Sequence, residues 1–285
     1  MSIADAGRSA AGSEAGVSRS SGTSRIAAAF AQARPAKRAA LMPYLMGGFP
    51  TLEESARIGD ACVQAGADLI ELGMPYSDPL ADGPVIHEAG TRALAAGATV
   101  GGVLEVAASF SDRVPVVLMC YANMVFAPGV DAFLDRLARS GASGLIVPDL
   151  PYGEAPEVLV ACDQRGLALV PLVAPTTPDE RLAAIGGQAR GFVYTVSVVG
   201  TTGERRVLGE HFAEIVARAK ANTEVPVALG FGISSPEQAL QAAEAGADGV
   251  IVGTRLVRAA AESDRPAEAV GAVVEELAAG LAPAR

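Results

Sequence analysis

Residues 64–73 read QAGADLIELG, and the fold follows from the way this stretch recurs. A helix-like run ends in a small-residue turn, Gln64-Ala65-Gly66-Ala67-Asp68, and the apolar strand LIELG follows at once. The arrangement returns as Gly141-Ala142-Ser143-Gly144 before LIVPD, and as Ala245-Gly246-Ala247-Asp248 before GVIVG. Glycine in the turn supplies the left-handed conformation that ends a helix. An unbroken apolar run after it suits a parallel strand buried on both faces. Repeated units of this kind imply a parallel sheet with crossover helices.

Working outward, the pattern predicts eight strands, near 40–47, 68–75, 114–121, 144–149, 167–175, 191–197, 225–232 and 249–254. Helical stretches rich in Ala, Leu and Glu lie between them. Thr51 followed by Glu54 reads as a capping box. Thr177-Pro178 and Ser235-Pro236 place proline at a first helical position. The fold class is α/β, and eight such units close most naturally into a (β/α)8 TIM barrel; a doubly wound sheet is the alternative. Residues 1–24 are small and polar and are expected to be a disordered tail without a secretory h-region. Residues 25–285 then form a single barrel domain.

The composition narrows the function. The chain has 285 residues, half of them hydrophobic, enough for one barrel core. A net charge of −10 disfavours nucleic acid and anionic membrane surfaces as partners, since both attract basic faces. No apolar run reaches the ~20 residues of a membrane span. Cys62, Cys120 and Cys162 form no CxxC pair and read as buried, reduced core residues of a cytoplasmic protein. His87 and His211 are the only histidines and have no partner at metal spacing, so no metal site is expected.

In a barrel, chemistry sits at the carboxyl ends of the strands. The richest such end is Glu71-Leu72-Gly73-Met74-Pro75-Tyr76-Ser77-Asp78-Pro79-Leu80-Ala81-Asp82-Gly83-Pro84. Glu71 lies inside an otherwise apolar strand. A carboxylate there is either satisfied by a backbone donor or tuned as a general acid/base. Asp82 follows in a loop stiffened by Pro75, Pro79 and Pro84; Asp-Gly is also an ordinary turn pair. If both acids are functional, a buried one and a loop one would have separated pKa values and separate roles.

The last three strand ends are rich in glycine: Gly200-Thr201-Thr202-Gly203, Gly230-Phe231-Gly232-Ile233-Ser234 and Gly253-Thr254. Glycines let backbone N–H groups approach a phosphate, and helix N-termini add a positive dipole. The loops after strands seven and eight are the habitual phosphate site of barrels. The two lysines, Lys37 and Lys220, sit at no strand end, which closes the Schiff-base route to carbon–carbon cleavage. Acids and bases alone would then need a substrate carrying its own electron sink, as indole does.

At these residues the chain resembles the alpha subunits of tryptophan synthase. The resemblance rests on ELGMPYSDPLADGPVIHEAG (71–90), MCYANMVF (119–126), VPDLP (147–151), GFGISSPEQ (230–238) and GADGVIVGT (246–254), which occur in the family's order. It implies retro-aldol cleavage of indole-3-glycerol phosphate to indole and glyceraldehyde 3-phosphate. Glu71 would then be the general acid/base, and Asp82 the loop aspartate that binds the indole N–H. Tyr194 matches the tyrosine near the glycerol phosphate, and Tyr44 and Phe231 match aromatic pocket positions. Gly203, Gly232, Gly253 and Thr254 match the phosphate cradle, with Thr254 replacing a serine common there. Thr202 matches a loop threonine that contacts Asp82. The loop at 198–209, with Gly200, Gly203 and Gly209, is expected to move when empty and to order on substrate.

The resemblance also implies a beta-subunit partner in an α2β2 heterotetramer. That partner carries pyridoxal phosphate, so this chain needs no cofactor. Met119–Phe126 and Asp149-Leu150-Pro151 resemble the contact surface, although Asn123 and Asp149 are equally readable as turn formers. Three competing readings stand beside this one. They are another phosphate-barrel enzyme, such as indole-glycerol-phosphate synthase or a sugar-phosphate isomerase, a non-catalytic barrel kept as an allosteric partner, and a free-standing indole-releasing lyase. The synthase would want a strand-end lysine, and intact Glu71 and Asp82 speak against the non-catalytic barrel.

Overall fold

The computed structural model describes residues 20–196, 205–230 and 232–282. Its strands are β1 (Ala40–Met46), β2 (Ile70–Gly73), β3 (Val116–Met119), β4 (Gly144–Ile146) and β5 (Ala168–Leu169), then β6 (Leu172–Val173), β7 (Val193–Val196), β8 (Val227–Gly230) and β9 (Gly249–Val252). All paired strands are parallel, in the order β5-β4-β3-β2-β1-β9-β8-β7-β6.

The two ends of that order are consecutive in the chain. Residues 168–173 are the expected fifth strand, which changes neighbour midway. Val170 N–H donates to Leu145 on β4 at 2.9 Å, and Tyr194 on β7 donates to the Pro171 carbonyl at 3.0 Å. Pro171 has no N–H to continue a ladder, and the strand is interrupted there into β5 and β6. The circle closes, leaving no sheet edge. The fold is a TIM barrel, as the repeats imply.

The repeated turn has a structural meaning. Gly66, Gly141 and Gly246 have φ of +96°, +80° and +93°, the left-handed cap expected of them. Asp68 then accepts the N–H of Leu41 at 2.8 Å and is paired with Arg38. Asp248 likewise accepts the N–H of Val227 at 2.9 Å and the Lys220 ammonium at 3.1 Å. Each aspartate thus ties the foot of its strand to the preceding strand in the barrel wall. In the copy at 141–144 Ser143 takes this position, and its buried hydroxyl has no partner.

The helix Gly22–Ala33 closes the foot of the barrel. Its Phe30 ring lies 5.8 Å from Phe192, and Arg25 donates to the carbonyls of Gly141, Val114 and Ser111. Ser21 caps it by accepting the N–H of Ser24. The helix therefore starts inside the segment expected to be tail, because a cap and a buried apolar face (Ile26, Phe30) follow the polar run at once. Residues 1–19 lie outside the described residues.

The caps deviate in detail. Thr51 accepts the N–H of Glu54 at 3.2 Å, but Glu54 does not complete the box. Its carboxylate accepts from Ala267 N–H at the start of the C-terminal helix Pro266–Leu281 and pairs with Arg57. Pro178 is the N-cap of helix Asp179–Gln188 rather than its first residue, whereas Pro236 opens its helix behind Ser235 as expected. No single helix among the described residues is long and apolar enough to cross a membrane.

Candidate active site

Strand β2 places Glu71 at the barrel mouth beside Tyr44, its register partner on β1. Glu71 is 1% exposed and is the only charged residue among the buried ones described. Its Oε2 has no hydrogen-bond partner, so the alternative of full satisfaction by backbone donors fails for that oxygen. Burial raises its pKa to about 8, helped by the negative charge of Asp82. Glu71 is thus protonated, and can donate, near neutral pH.

Two tyrosines share this floor. The Tyr44 hydroxyl occupies the space that a Cβ on Gly73 would need, and the Tyr194 ring does the same over Gly230. Glycine at these strand ends is therefore a packing requirement. Burial raises both phenol pKa values well above the ordinary range. Glu71 adds to the shift in each case, and Asp82 adds to it for Tyr44. These mutual influences place Glu71, Tyr44, Tyr194 and Asp82 around one space.

Asp82 is half-buried in the loop between β2 and the helix Pro84–Ala95. Tyr121, just past the neighbouring strand β3, reaches it. Its hydroxyl donates to Asp82 Oδ1 at 3.0 Å and accepts the N–H of Ala81 at 3.0 Å. Its ring stacks on Tyr76, at the start of the same loop, with centroids 5.1 Å apart. Burial raises the Asp82 pKa, while the Tyr121 bond and His87 pull it down. Tyr121 itself is pushed up to about 12, chiefly by burial. Sequence reasoning gave Tyr121 no role of its own. A polar aromatic at an expected strand end was the available signal.

The glycine-rich ends meet on the other side. Strands β8 and β9 pair with Leu229 facing Val250, and Gly232 and Gly253 follow their carboxyl ends. Gly232 has φ of +79°, a conformation other residues rarely adopt. Gly253 precedes the helix Thr254–Glu262, which has no side-chain cap. Its first N–H groups therefore have no acceptor within the helix. Thr254 is exposed at that first turn. The neighbouring helix Pro236–Glu244 is capped by Ser235, and Gln238 accepts from Ser234. Arg255 is turned to the Ser234 carbonyl and Glu276.

Thr202, Gly203 and Phe231 lie outside the described residues. The loop expected at 198–209 is shorter than the sequence suggested. The helix Arg205–Lys220 begins inside it and includes Gly209, and residues 197–204 are not described. Lys220 is bound to Asp248 at the foot of the barrel, and Lys37 precedes β1 at the same end. Asp149 accepts the N–H of Ala122 at 2.8 Å and so ties its own loop to the start of the short helix Ala122–Phe126. Asn123 is exposed. Among the described residues no cluster of three His, Cys, Asp or Glu could hold a metal ion.

With this geometry in place, the relatives are informative. A family model described as tryptophan synthase alpha chain matches residues 30–283. A tryptophan synthase alpha chain of Prochlorococcus marinus (strain MIT 9313) is 47% identical over 256 residues, covering 88% of this chain and 93% of that one. The Mycobacterium tuberculosis tryptophan synthase solved in space group F222 aligns with a TM-score of 0.84 at 42% identity, covering 91% of this chain and 99% of that one. A structure of the tryptophan synthase a2b2 complex of Pyrococcus furiosus, described as the basis of its mutual activation, gives 0.80 at 38% identity, covering 85% and 98%.

Proposed function

The chain belongs to the tryptophan synthase alpha chain family, and from that premise we propose how its own residues perform the chemistry. It is a lyase of tryptophan biosynthesis that cleaves indole-3-glycerol phosphate. Glu71, starting protonated, gives its proton to C3 of the indole ring. Asp82 accepts the ring N–H and stabilises the positive charge that develops there. The Glu71 carboxylate then takes the proton of the glycerol hydroxyl next to the ring. The carbon–carbon bond breaks, its electrons return to the indolenine, and indole and glyceraldehyde 3-phosphate separate. Glu71 ends as it began, so the chain needs no cofactor for this step.

The remaining site residues bind. Tyr44 and Phe231 flank the indole, and Tyr194 lies beside the glycerol phosphate. Gly203, Gly232, Gly253 and Thr254 hold the phosphate by backbone N–H groups, a hydroxyl and a helix dipole. Thr202 closes onto Asp82. The observation that carries this reading is Glu71, a buried acid with a pKa of about 8 and one oxygen that has no hydrogen-bond partner.

The partner is a beta subunit bearing pyridoxal phosphate, in an α2β2 assembly that receives the indole. The a2b2 composition of the Pyrococcus furiosus neighbour supports this, as does Leu80, 83% exposed on the acid-bearing loop. The enzyme works in the cytoplasm; its three buried free cysteines suit a reducing compartment. Indole release from indole-3-glycerol phosphate by the purified chain, alone and then with a beta subunit, tests the whole reading. Slow release alone and faster release in complex is expected. No indole in either case would overturn it.

A further inference from the structure

Among the described residues, three buried side-chain atoms have no hydrogen-bond partner: Tyr44 Oη, Glu71 Oε2 and Ser143 Oγ. Ser143 lies at the barrel foot, where its backbone crowds Gly22 of the closing helix. The other two stand side by side at the mouth on paired strands. Each is orphaned, so neither satisfies the other. A buried hydroxyl without a partner is costly and rare in folded proteins. Two such atoms on register partners at a strand end mark a place for one polar group of a ligand.

The walls fix where the Tyr44 hydroxyl points. It sits over the Cα of Gly73, where a side chain would displace it, and on the other flank a Cβ added to Gly253 would come within 3.3 Å of the Tyr44 Cβ. The phenol is 5% exposed and its raised pKa keeps it a proton donor. In the reaction proposed above, Glu71 accepts a proton from a substrate hydroxyl. The oxygen of that hydroxyl gains negative charge as the proton leaves, and a fixed donor aimed at it stabilises the charge.

We propose that the Tyr44 hydroxyl donates a hydrogen bond to the same substrate hydroxyl oxygen that Glu71 deprotonates, making Tyr44 a catalytic residue and not only an aromatic wall. This rests on the Glu71 assignment. The oxygen is held from two sides, its proton facing Glu71 and a lone pair facing Tyr44. As it becomes the aldehyde oxygen of the product, the Tyr44 bond persists and Tyr44 keeps its own proton.

The test is Tyr44→Phe, which removes one atom and keeps the ring. For indole release, kcat is expected to fall roughly tenfold, the scale of one hydrogen bond at developing charge, with KM changing less. Thermal stability should stay level or rise, because an unpaired buried hydroxyl is removed. A binding arm uses two probes on the Glu71→Gln background, with and without Tyr44→Phe. Affinity for indole-3-glycerol phosphate should drop several-fold when the hydroxyl is lost. Affinity for an indole carrying a three-carbon phosphate chain without hydroxyls should not change. Unchanged kcat, equal losses for both probes, or a lowered melting temperature accompanying the loss would each overturn the proposal. If the wild type releases no indole, the reading of the reaction fails, and the two-probe comparison still decides whether Tyr44 senses the hydroxyl.

Discussion

The Tyr121 hydroxyl donates to Asp82 Oδ1 at 3.0 Å while accepting the N–H of Ala81, so one phenol holds both the acid and the backbone beside it. The pair is separated by 39 residues and joins the ends of two adjacent strands. It makes the acid-bearing loop part of the mouth.

Tyr121→Phe should therefore act through Asp82. The bond lowers the Asp82 pKa, so its removal raises that pKa and moves the acidic limb of the kcat/KM profile to higher pH. A loss of about tenfold in kcat/KM at neutral pH is expected, of the order of one charge-assisted hydrogen bond. An unchanged acidic limb would leave Tyr121 a packing residue. Stability should fall by only about 1 kcal/mol or less, since the Ala81 N–H can turn to water.

Much of this was legible in the sequence, and the reasons are physical. The three glycine turns before apolar runs fix helix ends and parallel strands locally, so the barrel could be read from them. Glu71 stood out because a charge inside an apolar run is rare. The midway switch of the fifth strand was not readable, because Pro171 breaks a ladder only once its neighbours are known. Tyr44 over Gly73 was hidden for the same reason: the contact depends on register between strands, which no local pattern states. Tyr121 escaped because its partner lies far along the chain.

The pH dependence of stability follows from the same acid. The folded Glu71 holds its proton up to about 8, against an ordinary 4.5 when unfolded. Between those values the folded state binds more protons, so stability falls as pH rises through this window. Glu71→Gln removes the dependence. The melting-temperature difference between variant and wild type should grow in the variant's favour from pH 5 to pH 8, roughly the interval between the two pKa values. A constant difference would mean that Glu71 titrates normally.

Gly73→Ala should perturb the floor without touching an acid. Its Cβ would collide with the Tyr44 hydroxyl and press on the ring. Overpacking of this kind costs about 1–3 kcal/mol. Chemical denaturation measures the cost. Adding Tyr44→Phe should recover part of it, since the hydroxyl is the nearest obstacle and the ring remains. No recovery would place the strain elsewhere.

Thr254→Val should weaken inhibition by inorganic phosphate several-fold, as expected for one lost hydroxyl donor, about 1 kcal/mol. Arg205→Ala and Arg206→Ala should change it little, because helix and loop N–H groups are the donors. A large loss from either arginine variant, with none from Thr254→Val, would assign the phosphate to the guanidinium groups.

The central assignment is Glu71 as the group that moves the protons. The most direct measurement is kcat/KM for indole release across pH, with the beta subunit present, for wild type and Glu71→Gln. The wild type should lose activity above pH 8 or so, as the free-enzyme acid ionises. Glu71→Gln, still folded and binding substrate, should be slower by about 10²–10⁴-fold or more. Near-normal turnover by Glu71→Gln, with the same alkaline limb, would contradict the assignment.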